Sequence, residues 1–335
     1  MSAFVICEAG VTNYGELDLA RRQVDAAAAA GADAVKFQSF DTASLVSRIA
    51  AKEHEPELGH DWFERMDERR LSEDDLRELQ RYSAERGITF FATPHDEPSL
   101  RFLVEELDVP MLKVGSGEAA NWDFLRAIGA TARPVVIAFG LQTDDEARRA
   151  VATLRDAGAT EVTALHCVSV YPTPPELASL PRIERLRELL GVPVGISDHS
   201  VGTHVALAAV ARGATTVEKH LTFDKADPRS LDNPGALEPD EFVEFVRAIR
   251  ELEQALADVP AEVFALAVAD SRAWAEQAVV AARDLPKGHL LDRPDVAFKR
   301  PALGGVPATN VESVLGRRLK RALEADEQIR EPDLA

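Results

Sequence analysis

The sequence predicts an α/β chain, a (β/α)8 TIM barrel followed by a small β-rich domain, on three observations. Eight short apolar runs alternate with amphipathic helical stretches: Ala3–Ala9, Ala34–Gln38, Ile88–Thr93, Met111–Ser116, Pro134–Phe139, Val162–Cys167, Pro193–Ser197 and Thr215–His220. The length, 335 residues, accommodates one barrel of about 250 residues with a modest appendage. From Gln277 onward the character changes to short strands, turn residues and charges.

Among the helical stretches, Leu17–Ala30, Ser72–Arg86 and Asp144–Ala157 have the clearest periodicity, and Gly31, Gly87 and Gly158 follow them where a C-cap glycine belongs. After the eighth strand a helix is expected over Pro239–Leu256, then a charged, alanine-rich connection running through about Arg272. Residues 1–258 are thus read as the barrel, 259–276 as a linker, and 277–335 as a tail domain with strands Ala278–Ala282 and Val296–Lys299 and turns at Pro286–Gly288 and Gly304-Gly305.

Composition narrows the function. Fifty-seven acidic against 38 basic residues leave a net charge of -19, which argues against nucleic acid or an anionic membrane as partner. An anionic substrate would need a local basic pocket. Cys7 and Cys167 are the only cysteines and both sit in apolar runs, so a disulfide framework is unsupported and a reducing cytoplasm is the expectation. The N-terminal run Phe4–Cys7 is too short for a signal peptide, and no apolar stretch has membrane-spanning length.

Polar residues collect where the strands end. They are Glu8; Lys36 and Gln38; Thr93 and Asp96; Lys113, Ser116 and Glu118; Ser169 and Tyr171; Ser197, Asp198 and His199; and His220. Charges at the ends of buried strands are costly unless they serve each other or a ligand. Lys36 and Lys113 could neutralise a phosphate or carboxylate, with Thr93, Ser116 and Ser197 donating hydroxyl hydrogen bonds. The rival use is rim salt bridging, Lys36 with Glu8 or Lys113 with Glu118. Gly195–His199 and Val217–His220 each end an apolar run in a histidine. On neighbouring strands about 4.8 Å apart, the two imidazoles could converge on one divalent metal and leave positions open. A strand-end lysine also fits a Schiff-base aldolase, although that chemistry has no use for two histidines.

Ordered motifs then carry a specific likeness. They are Cys7–Gly10 with Asn13 and Gly15, Val35–Gln38, Ala92–Pro94, Lys113–Glu118, His166–Pro174, Ser197–His199, Glu218–His220 and Leu237–Pro239. With them the chain resembles, over nearly its whole length, the sialic acid synthases: N-acetylneuraminate synthase and its legionaminate, pseudaminate and spore-coat relatives. The tail, with Val279–Ala281, Pro286–Gly288 and Lys299–Pro301, resembles the family's antifreeze-like (SAF) domain.

The resemblance implies condensation of phosphoenolpyruvate with an N-acetylmannosamine-like aldose, giving a 2-keto-3-deoxy sugar acid and phosphate. It implies a divalent metal, manganese foremost with magnesium or cobalt as alternatives, on His199 and His220. Lys36, Thr93, Lys113, Ser116 and Ser197 match phosphoenolpyruvate contacts, and Glu118 matches a carboxylate near the sugar and the attacking water. Glu8, Gln38, Ser169, Tyr171 and Asp232 match further site positions. Trp274 and Arg300 match tail positions that reach a partner's sugar pocket, implying a domain-swapped homodimer.

Four places depart from the family pattern: Thr12-Asn13, Ala138-Phe139-Gly140, Ser169, and Leu231–Asn233. Ala138-Phe139 removes a hydroxyl from the phosphate side and is expected to add an aromatic ring there. The departures leave two alternatives open, another phosphoenolpyruvate–aldose 3-deoxy-ulosonate synthase and a catalytically weakened sugar-binding homologue.

Overall fold

A computed structural model describes residues 2–335, the side chains of Glu57 and Leu58 apart; Met1, the first residue of the expected barrel range, lies outside. The chain divides into two compact units, one ending at Leu256 and one spanning Ala257–Ala335. Among the described residues, no helix is long and apolar enough to cross a membrane.

In the first unit eight parallel strands close into a barrel in sequence order: β1 (Phe4–Gly10), β2 (Ala34–Ser39), β3 (Thr89–Pro94), β4 (Leu112–Val114), β5 (Val135–Phe139), β6 (Val162–Cys167), β7 (Val194–Asp198) and β8 (Thr216–His220). Pairing of Phe4 through Glu8 with Thr216 through His220 completes the closure. Both faces of these strands are covered, by barrel interior and by helices, which is why they read as near-continuous apolar runs. β4 is shorter than its sequence run, because Gly115 begins a turn.

Helices pack outside through apolar stripes, as Leu17–Ala29 does with Ala20, Val24 and Ala27. The helices Glu73–Glu85 and Asp144–Ala157 start in capping boxes, Ser72 with Asp75 and Thr143 with Glu146, which satisfy orphan amide donors. Gly31, Gly87 and Gly158 all take positive φ just beyond their helices, as expected. At Gly195 in β7, a Cβ would lie 2.1 Å from the Thr216 carbonyl oxygen. Only a bare backbone lets β7 and β8, the two histidine-bearing strands, come so close there.

The second unit adds what the sequence reading left undefined. The alanine-rich connection is helical, with Ala261–Ala267 and Ala269–Ala275. After it, β9 (Ala278–Ala281) pairs antiparallel with β10 (Val296–Lys299), and Val279, Leu285, Leu291, Val314, Leu319, Leu323 and Ile329 form a small core of their own.

Candidate active site

Side chains alternate across a strand, and at the C-terminal barrel mouth this alternation selects what points inward. Successive inward residues are Lys36 and Gln38, Thr93 and His95, Cys167 and Ser169, Ser197 and His199, and Glu218 and His220, joined by Glu8, Lys113, Ser116, Glu118, Tyr171 and Asp232 around a cavity of about 330 Å³. All the strand-end candidates except Asp96 and Asp198 therefore share one cavity, although a shallower hollow of about 440 Å³ around Arg65 and Arg69 is larger. The alternate residues of the same strands face outward. Lys219 donates to Asp198 Oδ2 at 2.8 Å and to the Ser200 carbonyl at 2.5 Å, a fully buried pair behind the histidines.

The cavity floor is a charge network. Lys36 Nζ lies 2.5 Å from Glu8 and 3.7 Å from Glu218, and Lys113 Nζ lies 3.7 Å from Glu218. Ser197 donates its hydroxyl to Glu218 at 2.7 Å. Burial alone would raise the Glu218 carboxyl, but Lys113, Lys36 and the Ser197 hydroxyl hold it down to about 2. Lys36, penalised by burial, is carried above its ordinary value by Glu218 and Glu8. The rival pairing of Lys36 with Glu8 is therefore present, whereas Lys113 faces Glu218 and not Glu118. Lys36 donates to Thr93 at 3.0 Å and Gly140 N donates to Ser116 at 2.8 Å, so both hydroxyls keep a proton to give. Ser197 does not, because its proton goes to Glu218.

Above the floor the two imidazoles stand with ring centroids 5.2 Å apart, and Tyr171 packs over His199 at 4.2 Å. His199 donates Nδ1–H to the Val168 carbonyl at 3.0 Å, which leaves Nε2 as a lone-pair donor. His220 Nδ1 is buried without a hydrogen-bond partner, 3.8 Å from Asp232 Oδ2. Among the described residues no three His, Cys, Asp or Glu side chains make a ready metal cage. Charge nonetheless favours a cation. Four carboxylates, Glu8, Glu118, Glu218 and Asp232, face two ammonium groups, Lys36 and Lys113, so with His199 and His220 neutral a net negative charge remains even with His95 protonated. Two nitrogen donors, an orphaned ring nitrogen and that deficit fit a divalent ion completed by water or substrate.

The departures from the family pattern are absorbed differently. Thr12 donates to the carbonyls of Ala9 and Leu221 and accepts from Gln23, a buried scaffold role. Asn233 accepts from Thr222 and donates to Tyr14 and to the Asp227 carbonyl, tying the loop that carries Asp232. Ala138 lines the cavity, but Phe139 is fully buried in the core. The expected aromatic ring at the phosphate side is thus absent, because strand alternation turns it outward. Next to it, a Cβ on Gly140 would meet Ser169 Oγ at 2.3 Å and Ser116 Oγ at 2.9 Å. Trp274 and Arg300 lie in the second unit, both exposed.

Three lining residues with titratable side chains escaped the sequence reading as site residues: His95, Cys167 and Glu218. Each stands two positions from a predicted site residue, on the same strand face. Period-two counting from Thr93, Ser169 and His220 would have found them.

Known proteins resemble the chain over most of its length. The chain is 33% identical to the N-acetylneuraminate-9-phosphate synthase of Homo sapiens, over 98% of this chain and 91% of that protein. It is equally 33% identical to the N,N'-diacetyllegionaminic acid synthase of Legionella pneumophila, over 97% and 92%. The crystal structure of the N-acetylneuraminic acid synthetase from Leptospira borgpetersenii, solved with citrate, superposes with a TM-score of 0.70 at 30% identity, covering 81% of this chain and 92% of that one. The SAF domain matches residues 276–335. The NeuB family matches residues 23–260, and with these relatives it establishes that the chain belongs to the NeuB family of synthases.

Proposed function

We propose that the chain condenses phosphoenolpyruvate with an N-acetylmannosamine-like aldose, releasing phosphate and a 2-keto-3-deoxy sugar acid, with a divalent metal, manganese foremost, on His199 and His220. The observation that carries this reading is the convergence in one cavity of two buried lysines, two imidazoles and Glu118. When bound, the metal supplies Lewis acidity for the aldehyde. Lys36 and Lys113 bind the anionic substrate by exchanging part of their contact with Glu8 and Glu218, and the hydroxyls of Thr93 and Ser116 donate to its oxygens. His199 is oriented by the Val168 carbonyl. Glu118 holds the water that adds to C2 and receives its proton, while Gln38, Ser169, Tyr171 and Asp232 orient the sugar hydroxyls. The reading includes a homodimer in which Trp274 of the partner subunit and Arg300 of the partner subunit complete the sugar pocket.

The test is phosphate release with manganese and phosphoenolpyruvate across a panel of N-acetylmannosamine, its 6-phosphate and diacetamido-dideoxy hexoses. At least one aldose is expected to turn over, with activity lost after chelation and lowered at least about 100-fold in His199→Ala and in His220→Ala. Full turnover in chelated protein would overturn the metal assignment, and no release with any aldose would overturn the reaction.

A further inference from the structure

At the end of β3, two residues beyond Thr93, the His95 ring enters the cavity and donates Nδ1–H to Glu118 Oε1 at 3.0 Å. The two outer atoms of this pair, His95 Nε2 and Glu118 Oε2, are both buried and both lack a hydrogen-bond partner. An unpartnered buried polar atom is costly, and two on one hydrogen-bonded pair lining a reaction cavity point to groups that find their partners in the substrates. The surroundings keep the pair simple. Phe40 meets the ring edge-on at 6.1 Å, and Gly115 presents bare backbone, where a Cβ would lie 2.7 Å from Glu118 Oε2. Asp96, next in sequence, turns to cap the amides of Asp41 and Ser99. Lys113 is a further charge acting on Glu118.

We propose that His95 and Glu118 form a proton-exchanging dyad, in which Glu118 orients the imidazole and Nε2 serves as its second outlet to the reacting atoms. This deepens the synthase reading and rests on it. In that reaction C3 of the enol bonds to the aldehyde carbon, and the carbonyl π pair becomes an alkoxide that needs one proton. Water then bonds to C2 and must lose one proton. The C2–O bond to phosphate breaks with its electrons on phosphate, and the remaining C2 hydroxyl proton leaves with it as the ketone forms. Starting with His95 as imidazolium beside the Glu118 carboxylate, the dyad lends the Nε2 proton to the alkoxide and recovers one from the water, so the enzyme ends as it began. Burial pushes the Glu118 carboxyl up, but the hydrogen bond and charge of His95, helped by Lys113, bring it below its ordinary value, so the pair holds one carboxylate ready to accept.

Three variants separate the parts. His95→Phe removes both nitrogens, His95→Asn keeps an amide donor near Nδ1, and His95→Gln places one near Nε2. General acid–base groups contribute about 10²–10⁴-fold, so kcat should fall by that range in all three while KM for phosphoenolpyruvate stays within a few-fold. The Glu118 carboxyl, followed by 13C NMR in the metal-free protein, should titrate at higher pH in His95→Phe and His95→Gln and move less in His95→Asn. The acid limb of kcat/KM should rise with it. An unchanged kcat, or a Glu118 midpoint unmoved in His95→Phe, would overturn the dyad. The NMR titration needs no turnover, so a failure of the synthase reading, seen as no phosphate release by wild type, is told apart from a failure of the dyad.

Discussion

Glu218 was legible in the sequence only as part of a motif, yet it organises the floor of the site. Its depressed carboxyl makes a pH prediction. Held at about 2 in the folded chain against an ordinary 4.5, it binds a proton more readily when unfolded. Its stabilisation is complete above about pH 5 and is lost as the pH falls from about 4.5 to 2, on the order of 3 kcal/mol. Replacing it by glutamine leaves Lys36 and Lys113 short of a buried counterion, a loss of about 3–5 kcal/mol. Denaturant unfolding should show Glu218→Gln far less stable than wild type at pH 7, with the gap narrowing below pH 4; a gap independent of pH would contradict the assignment. That His199 and His220 reach the cavity was legible because each terminates an apolar run. Glu218 escaped, since a charge inside a strand-like run carries no mark of which face it takes until a neighbour fixes the parity, and His95 escaped because it follows the end of β3.

At the scale of elements, all eight strands were foreseen to within a few residues, because parallel strands buried on both faces leave unbroken apolar runs. The four short helices between β2 and the helix Glu73–Glu85, namely Thr42–Leu45, Arg48–Glu53, Glu55–Leu58 and Trp62–Asp67, were not. None reaches two full turns, so no period of 3.6 can establish itself. The helices Ala261–Ala267 and Ala269–Ala275 were missed because alanine and charge alone mark no buried stripe. Gly195 gives the prediction at this scale. Alanine there must push β7 from Thr216, costing about 1–3 kcal/mol and displacing the strand that carries Ser197 and His199. A lower unfolding midpoint and weaker manganese binding by calorimetry are expected, and unchanged values would show that the close approach is not required.

For the whole molecule the proposed homodimer makes a complementation test. If Arg300 of the partner subunit completes each sugar pocket, Arg300→Ala and His199→Ala chains should each be nearly inactive, since losing a buried charged contact costs about 2–5 kcal/mol. After subunit exchange the heterodimer holds one site with neither lesion, and up to half the wild-type activity per dimer should return. No recovery, with heterodimers verified by mass spectrometry, would place the tail outside the site. The two-unit division was visible in sequence as a change of character, whereas the proposed assembly rests on the resemblance alone. A closed barrel also has to choose how its strands are staggered. A slip of β8 by one residue against β7 would carry Lys219 into the cavity and turn Glu218 and His220 into the helical layer, because side chains alternate with period two. Asp198 would then lose its cation, and Lys36 and Lys113 the Glu218 carboxylate between them, at a penalty of several kcal/mol. The outward-facing pair, outside the cavity lining, thus acts as an error check on the closure of the barrel: it admits the alignment in which both histidines reach the interior and penalises its nearest competitor.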